Sequence, residues 1–346
     1  MDTQYYLGID SGGTQTRAVT ALSTGEIVGS GISGSANRNH YTREQVQGNL
    51  GAAVAASMSG LPPSSLPKTI FIGTSGVSTE EDRREIYEIA HDASGIDHND
   101  RVIVDNDTIV ALTGGLSGRP GIALIAGTGS ACFGVNEHGE RYLCGGWGAL
   151  ADDVGSAPWL GLRALQMAVR SQDGRMPHTT LQDIVFDFLD LKEPRDLIGR
   201  VHHPHHGLDR SDLGALAPMV LDACRSGDVA ASALLLQATD ELATMACVTA
   251  GRLFNNGPCD LILVGGVARS GHPFQTELVA TLARRAPFIT VREPVLSPVY
   301  GAVLEALRAD SVAWTPELLA NLAAHQASAV VPGGNLPPGV NGTENP

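Results

Sequence analysis

A chain of 346 residues is long enough for two domains with sizeable cores. Its hydrophobic content of 43% and charged content of 17% are those of a globular protein, and its net charge of −14 argues against nucleic-acid and anionic-membrane partners. Five cysteines (Cys132, Cys144, Cys224, Cys247 and Cys259), with no C-x-x-C among them, point to reduced, mostly buried thiols and a cytoplasmic setting. No apolar run is long enough to span a bilayer, and Asp10 interrupts the short one that a signal peptide would need.

Along the chain, strand-like segments at 7–9, 17–22 and 27–33 predict an antiparallel meander. Residues 34–37 form a loop, and the alanine-rich stretch 44–58 has helical spacing. After the breaker at 61–65 come a buried strand at 69–72 and a helix at 79–94, with Thr79 placed to cap it. A strand at 102–104 runs into Asp105-Asn106-Asp107 and a helix at 108–114. The plan then restarts at Gly121 with a second strand–turn–strand, a larger insertion from about 147 to 206, and helices at 212–225 and 229–254. A strand at 260–264, helices at 274–285 and 299–308, a helix at 317–327 and a Gly/Pro tail expected to be disordered complete the chain. Three hairpin strands followed by strand–helix alternation make an α/β layout with mixed sheets.

The chemistry concentrates in the first turn. Asp10-Ser11-Gly12-Gly13-Thr14-Gln15-Thr16 joins two strands, and its glycines expose backbone N–H groups beside hydroxyls, an arrangement suited to phosphate. A lone carboxylate there would repel phosphate, so a divalent cation between the two is expected. Gly127-Thr128-Gly129-Ser130 repeats the plan, so two halves would grip one polyphosphate from both sides. Asp105 and Asp107 end a strand at the sheet edge where ligands bind. A carboxylate there suits proton acceptance from an attacking hydroxyl, although Asp107 could equally cap the next helix. Trp147, in Cys144-Gly145-Gly146-Trp147-Gly148, suits a sugar face or plain packing, and Asp153 suits sugar hydroxyls or the cap of a helix near Ala157. Gly265-Gly266 reads as a tight strand-to-helix turn or a flat surface against a nucleobase. His202-His203-Pro204-His205-His206 reads as an exposed loop, since adjacent histidines around a proline do not converge on one ion.

In this order, D-S-G-G-T at 10–14, N-D at 106–107, G-T-G-S at 127–130, C-G-G-W-G at 144–148, D-x-G-S at 153–156 and V-G-G-V at 264–267 resemble the BadF/BadG/BcrA/BcrD-type ATPases of the actin/hexokinase/Hsp70 superfamily, and within them the N-acetylglucosamine kinases. The resemblance covers about residues 6–308. It implies a two-lobed, duplicated ribonuclease-H-like fold that closes on ATP and a sugar. The lobes would be 1–115 with about 299–315, and 116–298, followed by the terminal segment 316–346. It implies Asp107 as the base taking the proton of the sugar 6-hydroxyl. It places Asp10, Gly12, Gly13, Thr14, Gln15, Gly127, Thr128 and Gly129 at the ATP phosphates, with Asp10 near Mg2+ through water, and Gly265 and Gly266 at the adenosine. Asn37, Ser130, Gly145, Gly146, Trp147 and Asp153 match sugar-contacting positions. A homodimer is a further implication.

Two departures bear on the sugar. Val154 stands where the family has a glutamate, and a valine neither accepts a hydrogen bond nor counters a charged amine. The loop Asn37-Arg38-Asn39-His40 also differs from the commoner one. N-acetylglucosamine leads, with glucosamine and N-acetylmuramic acid close behind. A dehydratase-activating ATPase of the same family would need a cysteine pair for an iron–sulfur cluster, which these cysteines do not offer. A non-catalytic sugar sensor would need an attached DNA-binding segment.

Overall fold

The computed structural model describes residues 3–39, 41–62, 65–93, 101–203 and 207–329. Strands β1 (Tyr5–Ser11), β2 (Gln15–Leu22) and β3 (Ile27–Gly34) form the expected meander, followed by α1 (Arg43–Met58), β4 (Pro67–Thr74), α2 (Glu80–His91), β5 (Arg101–Asn106) and α3 (Asp107–Gly115). The second half opens with β6 (Gly121–Ala126), β7 (Ser130–Val135) and β8 (Arg141–Gly145). Helices α4 (Ala157–Gln172), α5 (Thr180–Phe188) and α6 (Asp196–His202) lie in its insertion, and α7 (Arg210–Ala215), α8 (Ala217–Arg225) and α9 (Val229–Phe254) follow. Then come β9 (Cys259–Val264), α10 (Phe274–Arg285), β10 (Ile289–Arg292), α11 (Pro298–Ala309) and α12 (Pro316–Ala329).

The duplication read from the two hairpins is present in the topology. One sheet has the order β3-β2-β1-β4-β5 and the other β8-β7-β6-β9-β10. In each, the first three strands are antiparallel and the last two are added in parallel. This is the α/β, two-lobed architecture expected, with two mixed sheets.

Three clusters of buried side chains hold it together. Leu7, Ile9, Ile70 and Ile72 face Val46, Leu50, Val54, Ile86 and Ile89 of α1 and α2. The helices from α4 to α10 cover one face of the second sheet around Leu124, Leu242, Leu263 and Phe274. Between the sheets, α3 and α11 pack on each other, and their cluster takes residues from both halves: Ala123, Phe133 and Ile262 meet Val110, Leu112, Val303 and Tyr6. The approach is close enough to require glycine. A Cβ on Gly301 would stand 1.9 Å from the Val110 carbonyl oxygen, and one on Gly8 2.4 Å from the Val303 nitrogen. Helix α12 seals the same layer with Leu318 and Leu322.

Three local readings are corrected. The helix expected over 212–225 is two helices, because Pro218 lacks an N–H and starts α8 at its first turn. The cap of α3 is Asn106, whose side chain accepts from the Thr108 N–H, and Asp107 is the first helical residue. The cap of α4 is Ser156, accepting from the Trp159 N–H, so Asp153 is free of that duty. Strand β10, four residues long, was too short to show in the sequence pattern. Residues 204–206 of the histidine tract and the expected tail beyond 329 lie outside the described residues. All five cysteines are free thiols; Cys132 and Cys259 are buried and the other three half-buried. Among the described residues no helix is long and apolar enough to cross a membrane.

Candidate active site

Register decides which residues meet. Because β1, β4 and β5 run parallel, Asp10 pairs with Gly73 and Gly73 with Asp105, while Ser11 pairs with Thr74 and Thr74 with Asn106. The first glycine turn, the Thr74-Ser75-Gly76 loop and Asp107 therefore leave the sheet at one end. The Ser75 N–H donates to the Ser11 carbonyl (2.9 Å), and the Asn106 side chain donates to the Val77 carbonyl (2.6 Å), tying the three exits together. Asn37 is buried in the same corner, donating to the Ser75 hydroxyl (3.0 Å) and accepting from the Asn39 N–H (2.9 Å).

Among the described residues, Asp10 and Asp107 are the two carboxylates that the environment raises most. Burial pushes Asp107 up to about 6, against the pull of the Thr108 N–H. Burial, and then the charge of Asp107, pushes Asp10 up to about 7, while Arg17 pulls it down. The other candidate, Asp105, is spoken for. It is ion-paired with Arg83 of α2 (3.0 Å) and with Arg141 of β8 (3.2 Å), so it ties the second half to the first.

The second half builds the opposite wall. A Gly12 N–H to Gln15 carbonyl bond (3.1 Å) closes the first turn, and a Gly127 N–H to Gly129 carbonyl bond (2.9 Å) closes the second, which is one residue shorter. Thr14 and Thr128 at their tips are both exposed. The turns face each other: a Cβ on Gly13 would stand 3.1 Å from the Thr128 hydroxyl. Gly265 lies behind Gly127 with φ +95°, where a Cβ would strike the Ala126 carbonyl at 2.4 Å, and nothing crowds Gly266. The double glycine thus permits close packing on the second turn and leaves a flat backbone face beside it.

Ser130 is buried, with its hydroxyl donating to the Val154 carbonyl (2.8 Å) and its N–H to Asp153 (3.2 Å). Its carbonyl accepts from the Gly146 N–H (3.0 Å), which brings Gly145 and Gly146 alongside. Both have positive φ, at +80° and +76°. Trp147 is not packed: it is 80% exposed, so the packing reading of that ring is set aside. Asp153 is 3% exposed and held by Arg210 at 2.6 Å, and Arg210 also donates to the Thr128 carbonyl.

Sequence reasoning missed Ser75 and Arg210. Ser75 follows β4 at once, and only the parallel register places it beside Asn37. Arg210 lies 82 positions from Thr128, and nothing local marks it. No group of three or more metal-ligating side chains exists among the described residues. Asp10 nevertheless suits a hard divalent cation, held through water, that completes its shell with phosphate oxygens.

Residues 7–306 match the model of the BadF/BadG/BcrA/BcrD ATPase family. An N-acetylmuramic acid/N-acetylglucosamine kinase of Clostridium acetobutylicum is 30% identical over 303 residues, covering 87% of this chain and 97% of that protein. A glucosamine kinase of Vibrio cholerae is 31% identical over 266 residues, 76% of this chain and 85% of that one. A crystal structure from Chromobacterium violaceum, provisionally assigned as an N-acetylglucosamine kinase, superposes with a TM-score of 0.69 at 27% identity, covering 87% of this chain and 98% of its own. The chain belongs to the BadF/BadG/BcrA/BcrD ATPase family.

Proposed function

We propose that the protein is an ATP-dependent amino-sugar kinase that phosphorylates the 6-hydroxyl of N-acetylglucosamine or a close hexosamine, with Asp107 as general base. The observation that carries this is a carboxyl raised to about 6 by burial, at the same sheet end as a glycine turn that faces a second glycine turn. A base with that affinity for protons is unprotonated at neutral pH and still basic enough to take a proton from an alcohol as it attacks. Phosphoryl transfer asks little else of a side chain beyond position.

The turns at Gly12, Gly13, Thr14 and Gln15 and at Gly127, Thr128 and Gly129 would hold the phosphates from both sides, with Gly265 and Gly266 against the adenosine. Mg2+ near Asp10, held through water, would neutralise charge on the phosphates. Asn37, Ser130, Gly145, Gly146 and Asp153 would position the sugar, and the exposed Trp147 ring is available to lie on its face. Asp153 keeps a second lone pair on each oxygen for a sugar hydroxyl. Val154 packs into the core of the second half and offers no counter-charge. That supports an acetamido sugar ahead of glucosamine, whose ammonium a valine at 154 cannot counter. Phosphorus NMR of the product tests the reading: a 6-phosphate of an amino sugar supports it, and a phosphate on the anomeric carbon refutes it.

A further inference from the structure

The walls of this site are acidic. Asp10, Asp107 and Asp153 all belong to it, and the two turns contribute only neutral donors. A polyphosphate brings several more negative charges, and one metal ion offsets part of them. The side chain that brings positive charge to the second turn is Arg210, at the start of α7.

Its placement is not that of a surface ion pair. Its two hydrogen bonds among the described residues both leave from Nη2, to the Thr128 carbonyl and to Asp153 Oδ2. Nε is buried and has no partner among the described residues. The guanidinium carries five donors in one plane, and Nη1, which shares the outer edge of the fork with Nη2, makes no hydrogen bond among the described residues. Asp153, its anchor, has φ +59° and almost no exposure, and takes the Ser130 N–H on its other oxygen. The carboxylate is therefore fixed from below. Glycine at 129 lets the pair close over the turn, since a Cβ there would stand 3.2 Å from Asp153 Oδ1 and 3.3 Å from Arg210 Nη2. The exposed Thr128 hydroxyl, directed toward Gly13, is one residue from that contact.

We infer that Arg210 is a nucleotide-phosphate contact, oriented by Asp153 and by the Thr128 carbonyl, and that it supplies the fixed positive charge of the second turn. The inference rests on the kinase reading only in taking the ligand as a nucleoside polyphosphate. A planar fork held at Nη2 by a carboxylate and a carbonyl has its Nη1 donors fixed in direction, which suits phosphate oxygens.

The test is calorimetric binding of ADP and of adenosine to the whole protein and to Arg210→Met and Arg210→Lys, with melting curves for each. A charge-assisted contact to phosphate is worth about tenfold to hundredfold in affinity. Arg210→Met is expected to bind ADP at least about tenfold more weakly while adenosine binding stays within about twofold, and Arg210→Lys to recover part of the loss. Equal losses for ADP and adenosine would make Arg210 a strut for α7 and overturn the inference, as would unchanged ADP binding. Should Arg210→Met not fold, Arg210→Lys carries the same comparison. If ADP binding depends on Arg210 but no amino sugar is phosphorylated, the kinase reading falls and this one stands. If the unaltered protein binds ADP with no such dependence, only this one falls. If it binds no ADP at all, both fall.

Discussion

Replacing Asp107 by asparagine keeps the shape of the side chain and removes its charge, so the stability of the ligand-free protein reports what that charge costs. Burial raises the carboxyl from 3.8 to about 6, which is worth about 3 kcal/mol against the ionised folded form. The sign follows from linkage. Below about 4 the group is neutral in both states and costs nothing; as pH rises to about 6 the unfolded chain ionises first and stability is lost, and above 6 the whole cost remains. The asparagine variant escapes it. Its advantage should be about 1 kcal/mol at about pH 4.5 and about 3 kcal/mol at about pH 8. For a chain of this length, with an unfolding entropy of about 2 cal/mol/K per residue, that is about 1 °C and about 4 °C in Tm. Differential scanning fluorimetry of the free protein across that range is the assay. Turnover should meanwhile fall by about 10²–10⁴, the usual worth of a general base. A Tm gain equal at both pH values, or a loss at the higher one, would show that the Asp107 charge is not a buried cost and would undo the reasoning.

The same group sets an acid limb: kcat/KM for the sugar should decline below about pH 6 in the parent, and a profile flat from 5 to 8 would contradict the assignment of the base. Asp105→Asn should retain turnover within about tenfold, because its ion pairs with Arg83 and Arg141 are partly exposed and worth about 1 kcal/mol together. A loss as deep as that of Asp107→Asn would exchange the roles of the two carboxylates. Gly301→Ala should cost about 3 kcal/mol, read by urea unfolding, since its Cβ would stand 1.9 Å from the Val110 carbonyl of the helix that begins at Asp107. An unchanged unfolding midpoint would mean that α3 and α11 do not need that approach.

Much of this site was legible because its parts are local. Each glycine turn lies within one hairpin, and Asp107 follows a strand at once, so spacing alone exposed them. The repetition of Gly12-Gly13-Thr14 by Gly127-Thr128-Gly129 foretold the duplicated sheets. What stayed hidden depends on distant register or on competition between neighbours. Asn106 and Asp107 are equally good caps by type, and only the backbone decides that Asn106 takes the Thr108 N–H. Arg210 and Asp153 are 57 residues apart, and no periodicity links them. Proton acceptance was the role its strand end suggested for Asp105, and the arrival of Arg141 from the other sheet, invisible in the sequence, pairs it instead.

Phosphoryl transfer from ATP to an amino sugar is read by a coupled ADP-release assay with magnesium and ATP. The panel is N-acetylglucosamine, N-acetylmuramic acid, glucosamine, glucose and no sugar. ADP release that requires an amino sugar, greatest with N-acetylglucosamine, is the predicted result. Release at the same rate without sugar, or with glucose alone, would contradict it.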